Sequence, residues 1–196
     1  MRLFVAIDLP ASVQSALTSL IDTLRPTARI RWTKPANLHL TTKFIGEFAD
    51  SQLAALRDAL ARVQSPEIPI AVRGIGWFPN PHNPRILWAG VRAPESLGAL
   101  ARATDEAVLP FGIQPEKRAY SPHLTLARIE EKVDLAPLRR QIASLPSDEW
   151  GDFTASAFHL YQSELRSGGS IYTRLATFPM PHDPDPEVPS MKAPGV

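Results

Sequence analysis

Hydrophobic residues along this chain follow two rhythms, one of alternate positions and one of every third or fourth, and the rhythms come in the same order twice. Residues 3–7 form a short apolar run of branched and aromatic side chains, the pattern of a buried strand. After Pro10, the positions Val13, Leu17, Leu20, Ile21 and Leu24 recur at helical spacing, and Pro26 with Thr27 marks the stop. Strand pattern resumes at Ile30 and holds over 38–48; a helix is predicted over about 50–63 and a strand over 68–78. The second half predicts a strand over 86–91, a helix over 94–108, a strand over 122–129 and a helix over 135–145, then strands over 153–161 and 171–178. Leu3 stands 36 residues ahead of His39 and Ile86 stands 37 ahead of His123, so the two copies run in nearly the same register.

At the centre of each copy lies one phrase, His39-Leu40-Thr41-Thr42 and His123-Leu124-Thr125-Leu126, 84 residues apart. Duplication puts equivalent groups in equivalent places. Two copies packed about an approximate two-fold axis would set these phrases across a central cleft, a common location for binding sites. Strands and helices joined by short connections predict an α+β fold, with two antiparallel sheets lining the cleft and helices on their outer faces.

In a strand, His39 and Thr41 share one face and Leu40 and Thr42 the other; His123 and Thr125 are arranged alike. Each copy thus offers an imidazole and a hydroxyl roughly 6 to 7 Å apart along one face. Two imidazoles facing one phosphate form an acid and base pair: a neutral ring takes the proton of the attacking oxygen and a protonated ring donates to the leaving oxygen. Thr41 and Thr125 suit the stabilisation of charge on the non-bridging oxygens, and Arg128, five residues after His123, is the leading cation to neutralise the rest. A single histidine in a strand is more often structural than catalytic; its recurrence within a duplication tips the reading toward chemistry. The competing use of two histidines is a zinc site. Neither phrase contains Asp or Glu, the chain has no cysteine, and neutral hydroxyls ligate zinc poorly, so no metal and no cofactor are expected.

Charge narrows the substrate. The formal net charge of +1 provides no global basic field, so contact with nucleic acid has to come from a local cluster of Arg and Lys. That argues against tight binding to long duplexes. The apolar run at the N-terminus is broken by Asp8 and Pro10, too short for a secretory core or a membrane span, and the absence of cysteine fits a reducing compartment. A cytoplasmic monomer away from membranes is expected. Of the 20 prolines several crowd 179–194, so the chain divides into a folded unit over 1–180 and an extended, mobile tail over 181–196.

These residues resemble the two-histidine phosphoesterase superfamily, and within it the bacterial RNA 2',3'-cyclic phosphodiesterases, also described as LigT-like 2'-5' RNA ligases. The likeness runs over about 1–180, through the opening Arg2-Leu3-Phe4-Val5-Ala6-Ile7, residues 32–48, the run Ser121-Pro122-His123-Leu124-Thr125-Leu126-Ala127-Arg128 and residues 160–172. The resemblance implies a bilobal α+β structure whose two sheets line a V-shaped cleft, and hydrolysis of a terminal 2',3'-cyclic phosphate to a 2'-phosphomonoester. It also implies that His39 protonates the departing 3' oxygen and His123 activates water, although the motifs themselves leave these roles interchangeable. By the same resemblance Thr41 and Thr125 are phosphate-binding hydroxyls, Arg128 a phosphate-contacting arginine and Phe44 an aromatic beside the terminal base. Reversible 2'-5' ligation, and an RNA-end binding module without turnover, are the alternatives.

Phe44 and Arg128 each lie five residues past their histidine, an odd offset that a regular strand turns away from the site, so a bulge or strand end has to intervene. Lys43, at the even offset, is the alternative substrate contact. Trp32, Trp77 and Phe78 are candidates to stack a base, though aromatics in strands are more often core. Residues 163–170 form a polar, glycine-rich connection, either a rim lid or a plain hairpin. His82, in Asn80-Pro81-His82-Asn83-Pro84, reads as part of a turn, and His159 and His182 have no matching partner.

Overall fold

The structure, a computed structural model, describes residues 1–130, 132–167 and 169–181. Strand β1 (Arg2–Asp8) leads into helix α1 (Ala11–Leu24), whose Val13, Leu17, Leu20, Ile21 and Leu24 are all buried, the stripe that the spacing predicts. A two-residue strand β2 (Arg31–Trp32) precedes the first motif strand β3 (His39–Glu47). The helix predicted over 50–63 is a 3₁₀ turn, Asp50–Gln52, followed by α2 (Leu53–Leu60). Then come β4 (Ile68–Phe78), β5 (Ile86–Arg92), α3 (Glu95–Val108), the second motif strand β6 (His123–Arg128) and α4 (Ala136–Ala143).

One predicted strand is two. The run over 153–161 divides into β7 (Glu149–Ala155) and β8 (Ala157–Arg166), which join different sheets, and the chain ends its described part with β9 (Gly169–Pro179). At the break the Ser156 carbonyl accepts from the Met180 amide at 2.8 Å. The switch lies between two alanines, with no Gly or Pro to mark it.

The sheets run β3-β1-β8-β9 and β2-β6-β5-β4-β7, with neighbours antiparallel throughout. Each sheet contains a strand–helix–strand unit from one copy: β1 and β3 in the first, β5 and β6 in the second. Each is then completed by the other copy, since β8 and β9 extend the first sheet while β2 and β4 extend the second. The two lobes therefore do not coincide with the two halves of the sequence. Helix α1 packs on β7 and α3 on β3. Leu40 and Leu124, the residues that follow each motif histidine, are fully buried in one core with α1 and α3. Each such leucine contributes about 1.5 to 3 kcal/mol by burial and pins its strand with the histidine turned the other way.

Candidate active site

Both motif strands carry a bulge at the third residue past the histidine. Along β1 and β3 the pairing steps from Ala6↔Thr41 to Val5↔Lys43 and skips Thr42. Along β5 and β6 it steps from Trp88↔Thr125 to Leu87↔Ala127 and skips Leu126. One extra residue shifts the alternation by one place. His39 and Thr41 are half-buried, Leu40, Thr42 and Lys43 buried and Phe44 exposed; His123, Thr125, Leu124, Leu126, Ala127 and Arg128 repeat that order. The odd offset is thereby resolved, and Phe44 and Arg128 return to the face of the histidines.

The same shift removes Lys43 from the cleft, contrary to the even-offset expectation. Its side chain is 6% exposed, and its ammonium pairs with Asp105 on α3 and donates to the Gln114 carbonyl at 3.0 Å. Lys43 is a buried link between β3 and α3.

His39, Thr41, Phe44, His123, Thr125 and Arg128 all line one cavity of about 510 Å³ between the sheets, within the range of small-molecule sites, about 300 to 1,000 Å³. Arg2 and Phe4 of β1, Arg31 of β2, Thr33, Asn37, Phe78 and the β8–β9 residues Ser163, Leu165, Ser170 and Tyr172 share its wall. Strands β8 and β9 stay paired as far as Arg166↔Gly169, so the connection over 163–170 is largely ladder, a hairpin and not a lid. Arg2 and Arg128 form no ion pair among the described residues, which leaves two cations free for an anion.

Each imidazole is oriented by the carbonyl two residues before it. His39 Nδ1 lies 2.7 Å from the Asn37 oxygen and His123 Nδ1 lies 2.8 Å from the Ser121 oxygen. A carbonyl only accepts, so Nδ1 carries the hydrogen in both rings and Nε2 is left for proton transfer. Phe4 lies 4.8 Å from the His39 ring, Tyr172 meets it edge-on at 5.2 Å, and Phe78 meets His123 edge-on at 4.9 Å. The threonines are held crosswise: Tyr120, from the second copy, donates to the Thr41 carbonyl at 2.9 Å, and Thr33, from the first, donates to the Thr125 carbonyl at 2.8 Å.

Burial is the main influence on both histidines and lowers each from its ordinary value. For His39 the Asn37 carbonyl and the Asp8 carboxylate oppose burial, while Arg128 and His123 reinforce it. For His123 the Ser121 carbonyl opposes and Arg128 reinforces. Burial pushes the Tyr120 hydroxyl up, so it stays protonated and able to donate.

Of the other candidates, Phe78 reaches the cavity, where it packs on His123. Trp77 lies under the Arg139 guanidinium at 4.8 Å, and Trp32 Nε1 donates to the Ala28 carbonyl at 3.2 Å, both outside the cavity. The His82 amide donates to the Asn80 side chain, as a turn requires. His159 is buried on β8 beside Asp8, and His182 lies outside the described residues, as does the tail from 182 on. Phe4, Phe78, Tyr172, Tyr120 and Thr33 complete the setting of the motifs, and for Phe4 the apolar run at 3–7 gives no sign beyond core. Among the described residues no three His, Asp or Glu side chains are grouped to hold a metal ion, and no helix is long and apolar enough to cross a membrane.

Comparison with known proteins adds an independent line. The family described as LigT like Phosphoesterase matches the chain twice, over 7–88 and 91–172, and the matches begin 84 residues apart, the separation of the two histidines. An RNA 2',3'-cyclic phosphodiesterase of Methanothermobacter thermautotrophicus is 35% identical over 182 residues, covering 90% of this chain and 97% of its own. Another of that name from Thermus thermophilus is 36% identical over 187 residues, covering 91% and 89%. Among solved structures, TT0787 of Thermus thermophilus superposes with a TM-score of 0.76 at 31% identity, over 93% of this chain and 100% of that one. E. coli LigT complexed with 3'-AMP superposes with the same score at 27% identity, over 91% and 97%. With both repeats matched and relatives aligned almost end to end, the chain belongs to the LigT-like phosphoesterases.

Proposed function

We propose that this phosphoesterase opens 2',3'-cyclic phosphates, at an RNA 3' end or on a small nucleotide, to 2'-phosphomonoesters by paired-imidazole acid and base catalysis without a metal. The observation that carries the reading is the pair of imidazoles lining one cavity, each with Nδ1 held by a carbonyl and Nε2 free. His123 takes a proton from water as its oxygen attacks phosphorus, the bond from phosphorus to the 3' oxygen breaks, and His39 gives that oxygen its proton. Thr41, Thr125 and Arg128 hold the non-bridging oxygens as charge builds, and Phe44, 63% exposed at the rim, packs beside the terminal base. Curated relatives bearing the name RNA 2',3'-cyclic phosphodiesterase support the substrate. A cytoplasmic monomer acting on free RNA ends is the corresponding setting.

End-group analysis of a cyclic-phosphate oligonucleotide tests the reaction: a 2'-phosphate produced at an undiminished rate in excess chelator is expected. A rate abolished by chelator and restored by zinc would refute the metal-free route, and 2'-5'-linked product would favour ligation. Arg128→Ala should reduce kcat/KM by about 10- to 100-fold, the worth of a charge-assisted contact; steady-state rates within twofold of the parent would remove Arg128 from the site. Because burial holds both free imidazoles below their ordinary 6.5, the ring that must be neutral is so at lower pH than usual. The acid limb of kcat/KM is therefore expected below pH 6.5, and a limb at neutral pH or above would contradict it.

A further inference from the structure

The motif strands match down to their bulges, so the neighbours in which they differ bear on how their work differs. Opposite His39 on the ladder stands Asp8, whereas opposite His123 stands Gly90. A Cβ at Gly90 would collide with the Arg73 backbone carbonyl oxygen, so the second copy has no room for a side chain there. The carboxylate on one side and its lack on the other are both built into the packing.

Asp8 is also fixed in place. The Tyr161 hydroxyl donates to its Oδ1 at 2.6 Å, Arg174 pairs with Oδ2, and Arg174 Nε donates to the Tyr161 oxygen at 3.1 Å. His159 Nε2 stands 3.6 Å from Oδ2. Asp8, His39, Tyr161 and Arg174 wall a second cavity of about 290 Å³.

Resting on the paired-imidazole reading above, we propose that Asp8 is a positioning residue that divides the labour between two otherwise equivalent rings: of the two it neighbours His39 and not His123, keeps that ring the proton donor and leaves His123 the acceptor. The remaining charges do not make this distinction. Arg2 and Arg31 line the cavity that both rings share, and Arg128 disfavours the charged form of both. Arg174 pairs with Asp8 and tempers it, burial holds His159 beside it below its ordinary value and so disfavours a charge there, and Tyr172 presents an uncharged ring edge. Asp8 alone among these favours the imidazolium of His39.

NMR titration of the imidazole signals, without substrate, reads this directly. Asp8→Asn, close in shape and still able to accept from Tyr161, should move the His39 titration to lower pH and leave that of His123 in place. Arg174→Met, which strips the cation from Asp8, should move His39 to higher pH. Both variants break the same ion pair, so loosening of β1 against β9 alone would not produce opposite signs. In turnover, D8N should draw in the alkaline limb of the kcat profile, costing about threefold or more one pH unit above the optimum and under twofold below it. An unmoved His39, both histidines moving together, shifts of one sign in the two variants, or movement of the acid limb instead would each overturn the assignment. The titration needs no turnover, so a parent enzyme inert toward cyclic phosphates would sink the proposed reaction separately from the effect of Asp8 on His39.

Discussion

Alanine in place of His39 or His123 is expected to lower kcat for ring opening by about 10²- to 10⁴-fold each, with binding of a 2'-phosphate product changed far less. In the proposed reaction each ring supplies one proton transfer in the same step, and neither transfer has a second acid or base on the same strand face to take it over: the neighbours two residues on are Thr41 and Thr125. Thr41, Thr125 and Arg128, the proposed phosphate contacts, remain in either variant. The double variant should be little worse than the more damaged single one, because two groups that act in one transition state do not contribute additively. Both rings are half-buried on the cavity wall, outside the core built on Leu40 and Leu124, so thermal unfolding should report an intact fold. Steady-state kinetics on a cyclic mononucleotide decides the matter: single variants within threefold of the parent would remove the paired-imidazole chemistry.

Replacing Lys43 by Ala should cost about 3 kcal/mol of stability, the lower end for breaking a buried ion pair. The Lys43 side chain is 6% exposed and that of its partner Asp105 20% exposed, so the orphaned carboxylate regains some water but not all. Asp105 Oδ2 also accepts from the Glu116 amide at 3.0 Å, so the loss extends to the segment after α3. For a domain of this size the midpoint should fall by about 6 to 12 °C. The pair K43M/D105L, which removes both charges and keeps bulk, should regain most of that, since a buried pair contributes little net stability relative to packed apolar groups. Calorimetry checks both, and a single variant melting within 2 °C of the parent, as for about 1 kcal/mol or less, would contradict the buried placement. At 25 °C, where the fold persists, turnover by K43A should match the parent, because the side chain points away from the cleft.

What can be read from the chain, and what cannot, divides along a physical line. Periodicity reports which face of an element is apolar, so α1 with its five buried residues and β4 over 68–78 are legible to the residue. The motif faces are legible for the same reason, as far as Thr41 and Thr125. Beyond them the bulges at Thr42 and Leu126 intervene, and a bulged residue of ordinary strand type leaves no mark in composition; only the odd offsets of Phe44 and Arg128 hint at it. The same blindness sends Lys43 into the cleft, its parity counted along a strand that is not regular. Long-range pairing is less legible still. Nothing local at Ser156 signals a change of sheet, and nothing in Asn37 or Ser121 signals that its carbonyl orients an imidazole, since both depend on where the backbone turns.

The mutual completion of the sheets bears on how such a chain could arise. A polypeptide of half this length would leave the strand edges beside β1 and β5 uncovered, and its obvious remedy is a second identical molecule supplying the missing strands. The dyad of that homodimer would pass between the two histidines, so an ancestral gene of one repeat could already have encoded a complete site. Fusion would then have released each histidine from having to be identical to its twin, and Asp8 with Gly90 is one place where the two copies have since parted.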